Sequence, residues 1–260
     1  MAKPNPLYGT GIFRRRIHLR ADNNAVAVEL EDGNHGFRIV LRHDGEQVSG
    51  IDVDAVRHPF NTCPEAVGPL QRIVGQRLDI SAQALRERLV PGDNCTHMFD
   101  MAALAIAHAR NKGSELEYDM AVEDEVSTDE AAGDEREHAS SVSVACNGRS
   151  VHAWQVRAHH IVAPPTLAGM PMMRGFHAWA SRQFAGAELE AATALQRAYF
   201  VAQSRRFNFD PPAANPGIGD GMPQGSCYSY NHGAVERAVR STDTVRDFTH
   251  TPEKLLRFEP

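Results

Sequence analysis

Three side chains able to do chemistry crowd the start of one stretch: "DNCTHMFDMAALAIAHAR", residues 93–110, carries Cys95, His97 and Asp100 at the head of a helical pattern. Asp93 reads as its cap, which puts Cys95 in the first turn. A second cysteine, Cys63, opens another predicted helix in "TCPEAVGPLQRIVG". There Thr62 and Glu65 have the spacing of a capping box, and Pro64 sits where a helix tolerates it. At a helix N-terminus the free N–H groups and the dipole favour an anion. A thiol so placed has a lowered pKa, and its thiolate is both nucleophile and metal ligand. The pattern therefore admits a metal site, a reactive thiol, or two small buried apolar cysteines beside a surface histidine. Cys95 and His97 are two positions apart, a spacing that does not bring side chains together on a helix. The run Cys63…Cys95-x-His97 also matches no standard zinc-finger spacing.

Other residues suggest where a substrate would be held. Arg14, Arg15 and Arg16 lie in "GIFRRRIHLRAD" (11–22), where Arg14 and Arg16 share one strand face and Arg15 takes the other. An arginine pair can grip a carboxylate or phosphate, or guard an exposed edge strand. "GSCYSYNHG" (225–233) gathers Tyr228, Tyr230 and His232 after a flexible loop, and either closes over a ligand or packs on the body. "PPTLAGMPMMRGFHAW" (164–179) offers a pocket wall with Arg174 and His177 three apart, or an ordinary core of Met, Phe and Trp.

The elements that must position these groups read as an α+β chain in two halves. An antiparallel meander comes first: 11–22, "AVAVELED" (25–32), the turn "DGNHG" (32–36), and the hairpin 37–58 with its Asp-Gly signal. Helices follow from 62, 81 and 93. Strands resume at "LEYDMAV" (116–122), "SVSVACNGRSVHAWQVR" (141–157), turning at Asn147-Gly148, and "HHIVAPP" (159–165). Residues 175–184, 187–207 and 232–241 read as helices. The strongly acidic 123–138 reads as an exposed loop, and 210–226 as a Pro/Gly loop. Two domains are expected, 1–112 with the site and 113–260 covering it.

Composition limits the function. The net charge of −6 gives no overall attraction to nucleic acid, and no apolar run approaches a membrane span. The start "MAKPNPLYGTG" has no secretory apolar core, so the expectation is a cytoplasmic protein whose four cysteines are free thiols or metal ligands rather than disulfides.

Residues 35–110 resemble the iron–sulfur scaffold proteins of the IscU/NifU type. The resemblance is carried by "FRIVLRHDGEQVSGIDVDAVRHPFNTCPEAVGPLQRIVGQRL" followed by "NCTHMFDMAALAIAHA". It implies that the N-terminal half has the scaffold fold and that Cys63 and Cys95 take two ligand positions. His35 stands about where that family has an aspartate, "DGNHG" replaces its first cysteine, and Asn94 replaces a histidine, with His97 nearby. The implied set is His35, Cys63 and Cys95 around one divalent ion, zinc or iron, with an open position of the kind catalytic metals keep. The whole chain also resembles a bacterial family of unknown function through "YGTGIFRRRIHLR", "TCPEAVGPL", "CTHMFD" and "GSCYSYNHGAVERA".

The expected function is a metal-dependent hydrolase or lyase acting on a small carboxylate or thioester. Metal would polarise a carbonyl or activate water, His97 or Asp100 would move protons, and Arg14, Arg16, Arg174, Tyr228, Tyr230 and His232 would bind substrate. A metal or iron–sulfur carrier and a metal-free cysteine enzyme are the alternatives. A homo-oligomer is compatible with all three.

Overall fold

A computed structural model describes residues 3–127, 138–209 and 222–259. Strands β1 (Lys3–Pro4), β2 (Ile12–Ala21), β3 (Ala25–Asp32), β4 (Gly36–His43) and β5 (Val48–Arg57) precede α1 (Val67–Leu70), α2 (Ala82–Arg88) and α3 (Thr96–His108). The same order then recurs as β6 (Glu115–Glu123), β7 (Val126–Ser127), β8 (His138–Cys146), β9 (Arg149–Arg157), β10 (His160–Ala163), α4 (Phe176–Gln183) and α5 (Gly186–Ala202). A last short strand, β11 (Phe207–Asn208), pairs with β1.

Nine strands form one antiparallel sheet in the order β10-β9-β8-β6-β2-β3-β4-β5, with β7 added to β8. The first strands of the two halves, β2 and β6, pair at its centre from Ile12↔Glu123 to Arg20↔Glu115. A division near residue 112 therefore separates two repeats of one element order that share a single sheet. The Asn147-Gly148 turn forms as expected, with φ of 48° and 74° at its two residues, the left-handed pair a tight hairpin demands.

Strand alternation sets which side chains reach the core. In β2, Phe13, Arg15, Ile17, Leu19 and Ala21 are buried on one face, while Arg14, Arg16 and His18 alternate with them. In β3, Val26, Val28 and Leu30 are buried, and the period of two carries Asp32 to the same face. Helix α3 packs on β3 and β4, and α5 on β6, β8 and β9, with α4 against α5. No helix among the described residues is long and apolar enough to cross a membrane.

Local expectations fail where tertiary partners take over. Residues 232–241 make turns instead of a helix, because their amides leave the chain for other partners: Val239 N donates to Asn61 Oδ1 and Ser241 N to Pro59 O. Asp93 ends a short 3-10 turn, and the residue flanking α3 is Cys95, without a side-chain cap. Thr62 does not cap either; its hydroxyl donates to Ser229 Oγ. Most of the acidic loop 123–138 and of the Pro/Gly loop 210–226 lies outside the described residues, but Asp124 and Glu125 are buried and paired with Arg205 and Arg206.

Candidate functional site

Arg15 and Asp32 lie directly opposite each other in the β2–β3 ladder, on the core face. Both are buried, at 1% and 0% exposure, and Arg15 donates from Nε (2.9 Å) and Nη2 (2.5 Å) to Asp32 Oδ2. The other oxygen, Oδ1, accepts from the backbone amides of Asn34 (2.7 Å) and His35 (2.9 Å) and lies 3.0 Å from His35 Nδ1. A carboxylate can only accept, so Nδ1 of His35 carries the hydrogen. No hydrogen-bond partner for its Nε2 is found among the described residues.

His97, in the first turn of α3, stacks on His35 with ring centroids 3.9 Å apart, and its Nε2 lies 3.0 Å from Arg15 Nη2. A guanidinium only donates, which assigns the His97 hydrogen to Nδ1 and leaves the ring neutral. Burial, then His35 and Arg15, hold the His97 pKa well below the ordinary imidazole value. Burial alone would raise the Asp32 carboxyl; His35 and Arg15 prevail and hold it well below the usual range.

Asp32, His35 and His97 are the one group of three His, Cys, Asp or Glu donors found within 4.8 Å of one another among the described residues. The set is right in kind for an ion such as zinc or iron. It fits poorly as it stands, because Arg15 places a permanent cation against both Asp32 Oδ2 and His97 Nε2. His35 thus gathers with Asp32 and His97, and not with Cys63 and Cys95 as the resemblance implied. Cys63 is buried 3.5 Å from Ser229 Oγ, and Cys95 Sγ lies 3.9 Å from His97 Nδ1. Burial pushes the Cys63 thiol up to about 11 and raises Cys95 as well, the reverse of the activated thiols expected at helix starts. Desolvation of the thiolate here outweighs any pull from backbone amides.

Beside this network a pocket of about 710 Å³ opens between the two helix pairs, with Ile17, Leu30, Arg15 and His97 on the sheet side. Leu104, Ala107, Leu189 and Ala194 line much of the rest. Its charged end is built on Asp100, which accepts from Arg86 Nη2 on α2 (3.1 Å) and from Arg197 Nε on α5 (2.8 Å). Burial would raise the Asp100 carboxyl, but Arg197 and Arg86 keep it low, so Asp100 anchors two arginines as an anion. His177 of α4 lines the same pocket at an exposed position, where partial desolvation followed by Arg86 and Arg197 lowers its pKa.

The remaining expected ligand-holding residues lie elsewhere. Arg16 pairs with Asp119 and Arg14 donates to the Thr249 carbonyl. Arg174 is exposed and outside this pocket. Tyr228 donates to Glu65, Tyr230 packs edge-on to Phe60, and His232 pairs with Glu236; these cover the Cys63 region instead. Arg15, Asp32, Arg86 and Arg197 were missed. The readable signal was two opposite charges, Arg15 and Asp32, falling in step with the apolar rows of neighbouring strands.

Four histidines held below their ordinary value, His43, His58, His97 and His177, predict a pH dependence. As pH falls below the ordinary value of 6.5 toward about 4, an unfolded chain takes up protons at these four histidines that the native fold resists. Stability is therefore full above that window and falls through it as pH decreases. Asp32 adds a further loss near its ordinary value of 3.8, where the unfolded chain's carboxylate takes up a proton that the native one refuses. Thermal midpoints taken from neutral pH down to about 4 should decline, and less steeply in His177→Gln; a flat profile contradicts the assignment.

Residues 15–110 match a family described as a protein of unknown function (DUF2889). No curated protein and no solved structure matches the chain, and no likeness to iron–sulfur scaffold proteins is found.

Proposed function

We propose that the chain is an enzyme of lyase or hydrolase type that binds a small organic acid, or a thioester that keeps a second, free carboxylate, in the pocket between α3 and α5. The anionic head sits at Arg86 and Arg197, and the apolar body lies along Leu104, Ala107 and Leu189. One observation carries this reading: a single carboxylate, Asp100, serves two guanidiniums at one end of a pocket whose walls along α3 and α5 are largely apolar. An anionic ligand restores the charge balance and uses guanidinium N–H groups that Asp100 leaves free. A volume near 710 Å³ suits a small molecule, for which sites run ~300–1,000 Å³.

His177 is the base in this reading. It is neutral at neutral pH and faces the bound acid. Arg86 and Arg197 oppose its protonation in the empty site, whereas a bound carboxylate cancels part of their field. Its basicity therefore rises when the site is loaded, which favours proton abstraction from substrate or from an attacking water. His97, with Nε2 taken by Arg15, is a positioning residue at the pocket floor.

Calorimetric titration with octanoate and octanamide tests the anion site. Octanoate should bind at least tenfold more tightly. Equal affinity, or no binding of either, overturns the reading.

A second reading keeps the metal, on the strength of the Asp32, His35 and His97 group. It needs Arg15 to swing away so that the three donors close on zinc or iron as a Lewis acid. Near-equimolar metal in the purified protein, lost in His97→Ala, would put this reading first.

A further inference from the structure

We infer that the pocket is shaped for a bifunctional ligand: an apolar chain with an anionic group at one end and a hydrogen-bond donor, hydroxyl or ammonium, at the other. This rests on the reading of the Arg86–Arg197 end as the anion site. Helices α3 and α5 are bridged at two levels. Asp100 meets Arg197 at 2.8 Å, and His108 Nε2 meets Glu190 Oε2 at 2.8 Å. The pairing of 100 with 197 and 108 with 190 makes the helices antiparallel. At 1.5 Å per residue the two bridges are roughly 10–12 Å apart, and the wall between them is apolar.

The far bridge supplies an acceptor. Glu190 Oε2 accepts from His108 and, at 3.0 Å, from the Tyr118 hydroxyl. Among the described residues no partner takes Oε1, although Glu190 lines the pocket. A carboxylate oxygen only accepts, so it selects a ligand group that donates. Glu190 is half-buried, and a simple alkyl end that displaces water from its free oxygen forfeits a hydrogen bond that a hydroxyl end would restore. In line between the bridges, with each polar group about 3 Å from its partner, the ligand's two ends are roughly 4–6 Å apart, and alongside the wall they reach up to about 10–12 Å, a span that includes chains of about six to eight carbons.

Affinities of 6-hydroxyhexanoate and 8-hydroxyoctanoate, set against hexanoate and octanoate, test this by calorimetry. The better-fitting hydroxy acid should bind about five- to tenfold more tightly than its parent. Glu190→Leu, which leaves neither an acceptor nor a donor at that end, should bring that ratio close to one. If the parent acids bind and the hydroxyl adds nothing, this inference fails while the anion site stands. If no acid binds, both fail. A ratio that survives Glu190→Leu removes Glu190 as the partner and overturns the inference.

Discussion

Arg197→Leu is expected to weaken octanoate binding about ten- to a hundredfold, the range that losing one charged hydrogen-bonding partner produces. Fold and stability should change little, because Asp100 keeps Arg86 as a counter-charge. Arg197→Lys should recover only part of the loss: an ammonium restores the charge but not the planar pair of donors. Octanamide, which places no charge beside the arginines, should be nearly indifferent to both changes. Titration of the three proteins with both ligands checks this. An octanoate affinity unmoved in Arg197→Leu would mean that the two arginines do not form the anion site.

Asp32→Asn carries the largest expected effect on stability. The substitution keeps the shape but leaves Arg15, at 1% exposure, without its counter-charge. Removing one partner of a buried ion pair costs about 3–5 kcal/mol, which for a chain of this size lowers the unfolding midpoint by on the order of 10 °C. The double variant Arg15→Met, Asp32→Leu should be less damaging than Asp32→Asn alone, because it removes both charges together. Thermal unfolding of the single and double variants decides it. A single variant as stable as the parent would show that Arg15 finds another anion or reaches water.

The elements in which this chemistry sits were largely legible, because strand alternation and turn residues are local signals. Val26, Val28 and Leu30 give β3, and Asn147-Gly148 gives its hairpin. His97 stood out from its place at a helix start, and it does lie at the candidate site. Its partners did not stand out. Asp32 belongs to the same alternation as Val26 and Leu30, yet beside Gly33 and Asn34 it reads equally well as a turn residue. The implied grouping of His35 with Cys63 and Cys95 followed order along the chain, whereas side-chain direction brings His35 to Asp32. The pocket was legible only in part: His97, Asp100 and His177, each singled out from the sequence, do line it, but its two ends were not. It exists because α3 and α5, nearly a hundred residues apart, come together across the sheet, and nothing local in "AELEAATALQRAYF" marks Glu190 or Arg197 as its ends.

The central pairing of β2 with β6 bears on how the chain is made. While the N-terminal half leaves the ribosome, β2 is the bare margin of an unfinished sheet, since Glu115–Glu123 has yet to be synthesised. The outward row of that margin is Arg14, Arg16, His18 and Arg20, basic groups that discourage adhesion to a neighbouring nascent chain. The strand that arrives later brings Glu115, Glu117 and Asp119 into register with Arg20, His18 and Arg16. The segment that completes the sheet thus lays a carboxylate beside Arg16, His18 and Arg20 in turn.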